Sequence, residues 1–171
     1  MRDATAAAGG AAILTACGQP PRRWRYFTEA EATLVSAICQ QIIPADDFPG
    51  AVEAGVPVFI DRQLAGRLKR HQEAYRAGLA GVQGTSGAMF GRNFETLKFD
   101  DQTTVLKAIE AGKVPAGKWR GASARTFFNL IRDHTMQGFY GSPRHGGNRD
   151  YVSYRMLGVD YPQVIGQNRY K

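Results

Sequence analysis

From Gly138 to Asp150 the chain reads Gly-Phe-Tyr-Gly-Ser-Pro-Arg-His-Gly-Gly-Asn-Arg-Asp. Four glycines and a proline in so short a run exclude a continuous helix or an interior strand. Glycine loses the most backbone freedom on ordering, and proline has no N–H to give. The same run carries Phe139, Tyr140, Arg144, His145 and Arg149. A plain connector has no need of large aromatic and basic groups. The stretch therefore predicts a shaped loop that packs on the body of the protein or on a partner.

The 171 residues fit one domain of the usual size, about 100–200 residues, and can enclose a core without metal or staples. With 43% apolar residues, 9 Phe and 7 Tyr, the composition is that of a folded chain. The formal charge is +7. Apart from Arg22, Arg23 and Arg25, the basic residues are spread along the chain. A spread excess suits solubility or an acidic partner surface. With no basic stripe or binding motif beside it, it does not point to nucleic acid.

The first residues differ from the rest. Ala4 to Ala16 is nearly all Ala, Gly, Thr, Ile and Leu. It is shorter than the ~20 residues a membrane-spanning helix takes and looks like the apolar part of an export signal. It ends in Leu14-Thr15-Ala16-Cys17, which resembles the lipobox of bacterial lipoproteins, where cleavage precedes the cysteine and lipid is attached to it. Arg2 is followed by Asp3, so the basic region is poor, and a start further upstream would supply the missing arginines. The alternative is an alanine-rich tail. Residues 1–26 are thus expected to be an export-signal-like segment and linker, and residues 27–171 a helical domain. The second cysteine, Cys39, lies among apolar positions and is expected to be a buried free thiol. Two cysteines and three separated histidines make no zinc site, and no Cys-x-x-Cys-His is present for covalent haem.

Phe27 followed by Thr28-Glu29-Ala30-Glu31 forms a staple and capping box for a helix from Glu29 to about Ile43. Leu34, Ile38 and Ile42 lie on one face, and Pro44 stops it. Asp46-Asp47-Phe48-Pro49-Gly50 reads as a turn, without calcium-loop spacing. A second helix starts with Pro57 in its first turn and reaches about Leu68. A third spans about His71 to Ala80, where Gly78, Gly81, Gly84 and Gly87 interrupt the pattern. Phe99 as a staple and an Asp as cap open a fourth, Asp101 to Glu110, closed by Gly112. Residues 123–137 carry Phe127, Leu130, Ile131 and His134 at helical spacing, and Gly138 ends that helix. A short amphipathic piece follows around Tyr151 to Leu157. No alternating strand appears. The expected fold is all-α: a single irregular orthogonal helical bundle with long loops and an extended C-terminal segment.

Chemistry-bearing motifs are few. The serines lack an elbow motif, and there is neither a dinucleotide fingerprint nor a Walker lysine. His134, with Asp133 beside it and His145 beyond the loop, is the best acid–base candidate for a small stand-alone hydrolase or other enzyme. Neighbours in sequence diverge on a helix, however, and a lone histidine on an apolar face is commonly a core or interface residue. A structural lipoprotein anchored through Cys17 is a third reading. Aromatics and arginines anchor protein contacts. The candidate partner-interface residues are therefore Trp24, Tyr26, Phe27, His134, Phe139, Tyr140, Arg144, His145, Asn148, Arg149, Tyr151 and Tyr154, with catalytic and metal-ligating residues expected to be none.

Two stretches resemble the gluconate 2-dehydrogenase subunit 3 family, the small or gamma subunits of bacterial membrane-associated flavin dehydrogenases. One runs from Phe27-Thr28 through Ile42-Ile43-Pro44-Ala45-Asp46 to Gly55-Val56-Pro57. The other runs from Phe127 through His134-Thr135, Gly138-Phe139-Tyr140, Pro143 and Gly146-Gly147-Asn148 to Met156-Leu157-Gly158. The resemblance implies a subunit without a cofactor of its own. It implies a large partner of the glucose-methanol-choline (GMC) type holding FAD, and a cytochrome c subunit or domain with haem c as electron acceptor. It also implies periplasmic location with association to the inner membrane through the complex or a lipid, and a role in maturing the large subunit or in its twin-arginine export as a hitchhiker. No twin arginine precedes the apolar run here; Arg22-Arg23 follows it. Substrates in the family include gluconate, glucose, fructose, sorbitol and glycosides oxidised at the third carbon. Tyr151-Val152-Ser153-Tyr154 stands where the family more often has a tryptophan-bearing stretch, which favours a sugar or glycoside 3-dehydrogenase.

Overall fold

The structure, a computed structural model, describes residues 23–159. The export-like run, Cys17 and the expected extended C-terminal segment beyond Val159 lie outside the described residues. The α-helices within them are α1 (Glu29–Ile42), α2 (Val56–Ala65), α3 (Gln72–Phe90), α4 (Phe99–Ala111), α5 (Ala124–Tyr140) and the short α6 (Val152–Met156). Single 3₁₀ turns stand at Lys69–His71, Phe94–Thr96, Pro143–His145 and Arg149–Tyr151. Among the described residues there is no strand, and the fold is an irregular all-α bundle.

Helix α5 is the hub. The three-and-four spacing of Phe127, Ile131, His134, Thr135, Gly138 and Phe139 makes one buried face, and α1, α2, α3, α4 and α6 all pack against this helix. Val35, Ile38, Val56, Ile60, Leu64, Tyr75, Val82, Phe94, Val105 and Ile109 complete the core, each at most 1% exposed. Every such side chain contributes roughly 1.5–3 kcal/mol by leaving water, set against the conformational entropy lost in ordering it.

Local signals explain most helix ends. The capping box at α1 is complete: the Thr28 hydroxyl accepts from the Glu31 N–H, and the Glu31 carboxylate accepts from the Thr28 N–H at 2.8 Å. Phe27 is buried beside it. Ser123 caps α5 through its hydroxyl alone, which accepts from the Thr126 N–H. Asp46 accepts from the Phe48 N–H and shapes the turn after α1, as Asp side chains do. Helix α2 stops at Ala65, three residues short of the expected end, and passes into the 3₁₀ turn.

Three expectations need correction. Helix α5 does not end at Gly138 but runs through it to Tyr140, and the missing side chain there lets Val56 and Phe59 pack close. Helix α3 does not stop near Ala80 but runs to Phe90 through all four glycines. Gly78 faces the ring of Phe127, and Gly81 faces Trp119, whose ring would stand 2.6 Å from a Cβ there. Close approach of a neighbouring aromatic outweighs the cost of about 1 kcal/mol per glycine in a helix. Helix α4 is not capped by an Asp. Its N-cap is Lys98, without a side-chain hydrogen bond, and Asp100 and Asp101 sit in its first turn, where they favour the positive end of the helix dipole. Phe99 is 54% exposed and makes no staple. Among the described residues, no helix is long and apolar enough to cross a membrane.

Candidate functional site

The glycine-rich loop folds back from the end of α5 onto the start of α2. Gly138 lies against Val56 and Phe59, where a Cβ would stand 3.1 and 2.8 Å from their side chains. Gly147 sits directly on the Gly138 carbonyl oxygen, with no room for a Cβ. The Arg149 N–H donates to the Ala54 carbonyl at 2.9 Å, tying the far limb of the loop to the turn before α2. Gly55, the left-handed N-cap of α2 (φ +77°), meets the Gly146 carbonyl from the other side.

Asn148 is the loop's internal brace. It is fully buried, with φ +43° and ψ +42°. Its Nδ2 donates to the Gly141 carbonyl at 2.9 Å, and its Oδ1 accepts from the Ser153 N–H at 3.0 Å. Asn tolerates the left-handed region better than most residues. Asp150 and Tyr151 also have positive φ, +54° and +57°, conformations that cost on the order of 1–3 kcal/mol each and persist only where the surroundings impose them. Tyr154 donates to the Gly141 carbonyl at 3.4 Å and lies beside the ring of Tyr151. The result is a braced loop whose outer side carries Tyr140, Arg144 and Arg149, all exposed, with His145, Tyr151 and Tyr154 half-buried.

A second cluster lies inside the bundle. Tyr75 Oη is 2.9 Å from His134 Nδ1, the two rings are parallel, and His71 meets the His134 ring edge-on. Burial, reinforced by the nearby His71, lowers the His134 pKa to about 4, and burial raises that of Tyr75 well above its ordinary value. Both shifts keep the pair neutral, and the imidazole tautomer sets which of Tyr75 Oη and His134 Nδ1 donates. Next to it Cys39 Sγ lies 3.4 Å from Thr135 Oγ1, and burial pushes the thiol up to about 12. Cys39 is a buried free thiol, as its surroundings in the sequence suggested.

The candidate residues thus fall into two groups. Trp24, Phe27, His134, Phe139 and Asn148 pack inside this chain. Trp24 donates to Glu29, and the half-buried Tyr26 donates to the Gln72 carbonyl at 2.7 Å. Tyr140, Arg144, His145, Arg149, Tyr151 and Tyr154 gather at the loop. His134, Asp133 and His145 share no hydrogen bond with one another: His134 pairs with Tyr75, Asp133 with Arg132, and His145 accepts from Arg144. Among the described residues no group of His, Cys, Asp and Glu is placed to hold a metal ion.

One structural anchor leaves only a single mark in the sequence. Asp61 is 2% exposed, and its carboxylate accepts from the N–H groups of Arg25, Tyr26 and Phe27 at 2.8, 2.9 and 3.0 Å. It fixes the entering segment against α2. A buried Asp on an otherwise amphipathic helix is the one mark that points to such a role.

No curated protein and no solved structure matches the chain. The family described as Gluconate 2-dehydrogenase subunit 3 matches residues 29–160. That span takes in every helix from α1 to α6 together with the braced loop, and the chain belongs to the gluconate 2-dehydrogenase subunit 3 family.

Proposed function

We propose that this chain is the non-catalytic small subunit of a periplasmic, FAD-dependent sugar or glycoside dehydrogenase complex. It binds and stabilises a large flavoprotein subunit of the GMC type and assists its maturation or export. The observation that carries this reading is the family match over residues 29–160. The braced loop supports it, because a rigid surface bearing arginines and tyrosines loses little freedom on docking. FAD belongs to the large subunit in this reading, and electrons leave through a cytochrome c subunit or domain.

In the same reading residues 1–26 direct export, Cys17 is a candidate for lipid attachment, and residues 27–171 form the subunit domain. The Tyr151-Val152-Ser153-Tyr154 stretch favours oxidation of a sugar or glycoside at the third carbon. Co-expression with the large subunit tests the proposal. The expected result is a complex that survives affinity purification through a tag on the small chain, shows flavin absorption and oxidises sugars, while the isolated chain turns over none. Failure of the two chains to co-purify would refute it.

A further inference from the structure

Two arginines meet around Gly146, and a third stands close to it in sequence. The Arg62 side chain, from α2, crosses over this glycine so closely that a Cβ there would stand 2.8 Å from Nη1 and 3.1 Å from Cδ. Arg149 lies over Gly55, with Nη2 and Nε at 3.3 and 3.6 Å from the corresponding point, which is also 2.9 Å from the Gly146 carbonyl oxygen. The two guanidinium groups therefore flank one glycine–glycine contact. Arg144 stands two residues before Gly146, and its Nε donates to His145 at 3.1 Å. All three arginines are exposed.

None of the three has a counter-ion among the described residues. The ion pairs among the described residues join Arg76 to Glu31 and Arg132 to Asp133. Asp61, next to Arg62 in sequence, turns inward to three backbone amides. Asp150, next to Arg149, is exposed and takes part in neither ion pair. Gathering like charges without acids works against folding. The fold nevertheless builds this cluster on its most constrained backbone, with close glycine contacts at 55, 146 and 147 and a left-handed Asn148.

We infer that this arginine face is the docking site for the large flavoprotein subunit, which meets it with a cluster of Asp and Glu carboxylates; this rests on the small-subunit reading above. The planar guanidinium fork matches a carboxylate with two parallel hydrogen bonds. Tyr151 and Tyr154 beside it supply the aromatic area that protein interfaces favour. An anionic lipid headgroup is the other anion that three arginines suit, and the test separates the two.

The full chain and the large subunit are titrated against each other at low and high salt, with Arg62→Glu/Arg149→Glu and with Arg92→Glu as a remote control. The double reversal is expected to weaken binding by about 100-fold or more, and wild-type affinity to fall with salt. The control is expected to stay within about twofold. Should the reversed chain misfold by circular dichroism, Arg62→Gln/Arg149→Gln serves instead, with a loss of about tenfold. A wild-type complex that ignores these changes would overturn the arginine face and leave the small-subunit reading standing. A wild-type chain that forms no complex would overturn both. Arginine-dependent sedimentation with phosphatidylglycerol vesicles, beside an unchanged subunit complex, would reassign the face to lipid.

Discussion

The phenol of Tyr75 and the imidazole of His134 lie parallel within the bundle, joined by a 2.9 Å hydrogen bond between Oη and Nδ1. Two polar rings are thereby buried at low cost, each satisfying the other. Tyr75→Phe keeps the ring and removes the hydroxyl, leaving Nδ1 buried without its partner. The expected loss is about 1–3 kcal/mol, read as a lower urea midpoint with an unchanged slope. An unaltered midpoint would show that the bond contributes nothing.

The same pair makes stability depend on pH. Burial holds the His134 pKa at about 4 in the folded chain, below the ~6.5 of an unfolded histidine. Between those values the unfolded chain binds the extra proton. The stability from keeping His134 neutral is therefore complete above about pH 6.5 and is lost as pH falls towards 4, at up to ~1.4 kcal/mol per pH unit. His134→Gln lacks this titration, so the gap between wild type and variant should narrow as pH falls. A gap constant with pH would refute the assignment. The His71 pKa is also lowered by burial, so the comparison is best made in a His71→Gln background.

The glycines of α3 should respond oppositely to alanine. At Gly87 a Cβ meets nothing within 4 Å, whereas at Gly78 it runs into the Phe127 ring. Gly87→Ala should stabilise by up to about 1 kcal/mol through helix propensity. Gly78→Ala should destabilise by roughly 1–3 kcal/mol or more through overpacking. Thermal melts of both variants check the pair, and equal shifts of one sign would contradict the packing.

This contrast also marks what a sequence can reveal. Helices α1 and α5 were legible because their signals are local: Thr28 with Glu31, and the spacing of Phe127, Ile131 and His134. The continuation of α3 was not, because what excuses Gly78 and Gly81 is Phe127 and Trp119, far away in the chain. The loop was legible from its breakers, but it starts at Gly141, since α5 takes in Gly138 and runs on to Tyr140. Its attachment to α2 was hidden, since the Arg149–Ala54 bond joins residues almost a hundred positions apart. Asp61 was hidden for the same reason, with partners 34 to 36 residues away.

Asp61 anchors the segment before α1 through three N–H donors. Asp61→Ala leaves those amides without their acceptor, and the Phe27 bond is buried. A loss of more than about 2 kcal/mol is expected, since hydrogen bonds to charged groups are the stronger class. Hydrogen exchange should quicken at Arg25, Tyr26 and Phe27 before it does in α5. Unchanged exchange at these amides would mean that the segment is held by Trp24 and Phe27 packing alone.

Asn148 combines two contributions that a pair of substitutions can separate. Asn148→Gly keeps the left-handed backbone and loses the bonds to Gly141 and Ser153. Asn148→Ala loses the bonds and also strains φ +43°. The glycine variant should cost about 1–3 kcal/mol for the severed buried bonds, and the alanine variant about 1 kcal/mol more for its left-handed conformation. Association with the large subunit is a second readout. Without its brace the loop has to be ordered on docking, so affinity should fall in both variants even at temperatures where the bundle stays folded. Full affinity in a folded Asn148→Gly chain would mean that the loop's rigidity serves the bundle and not the partner.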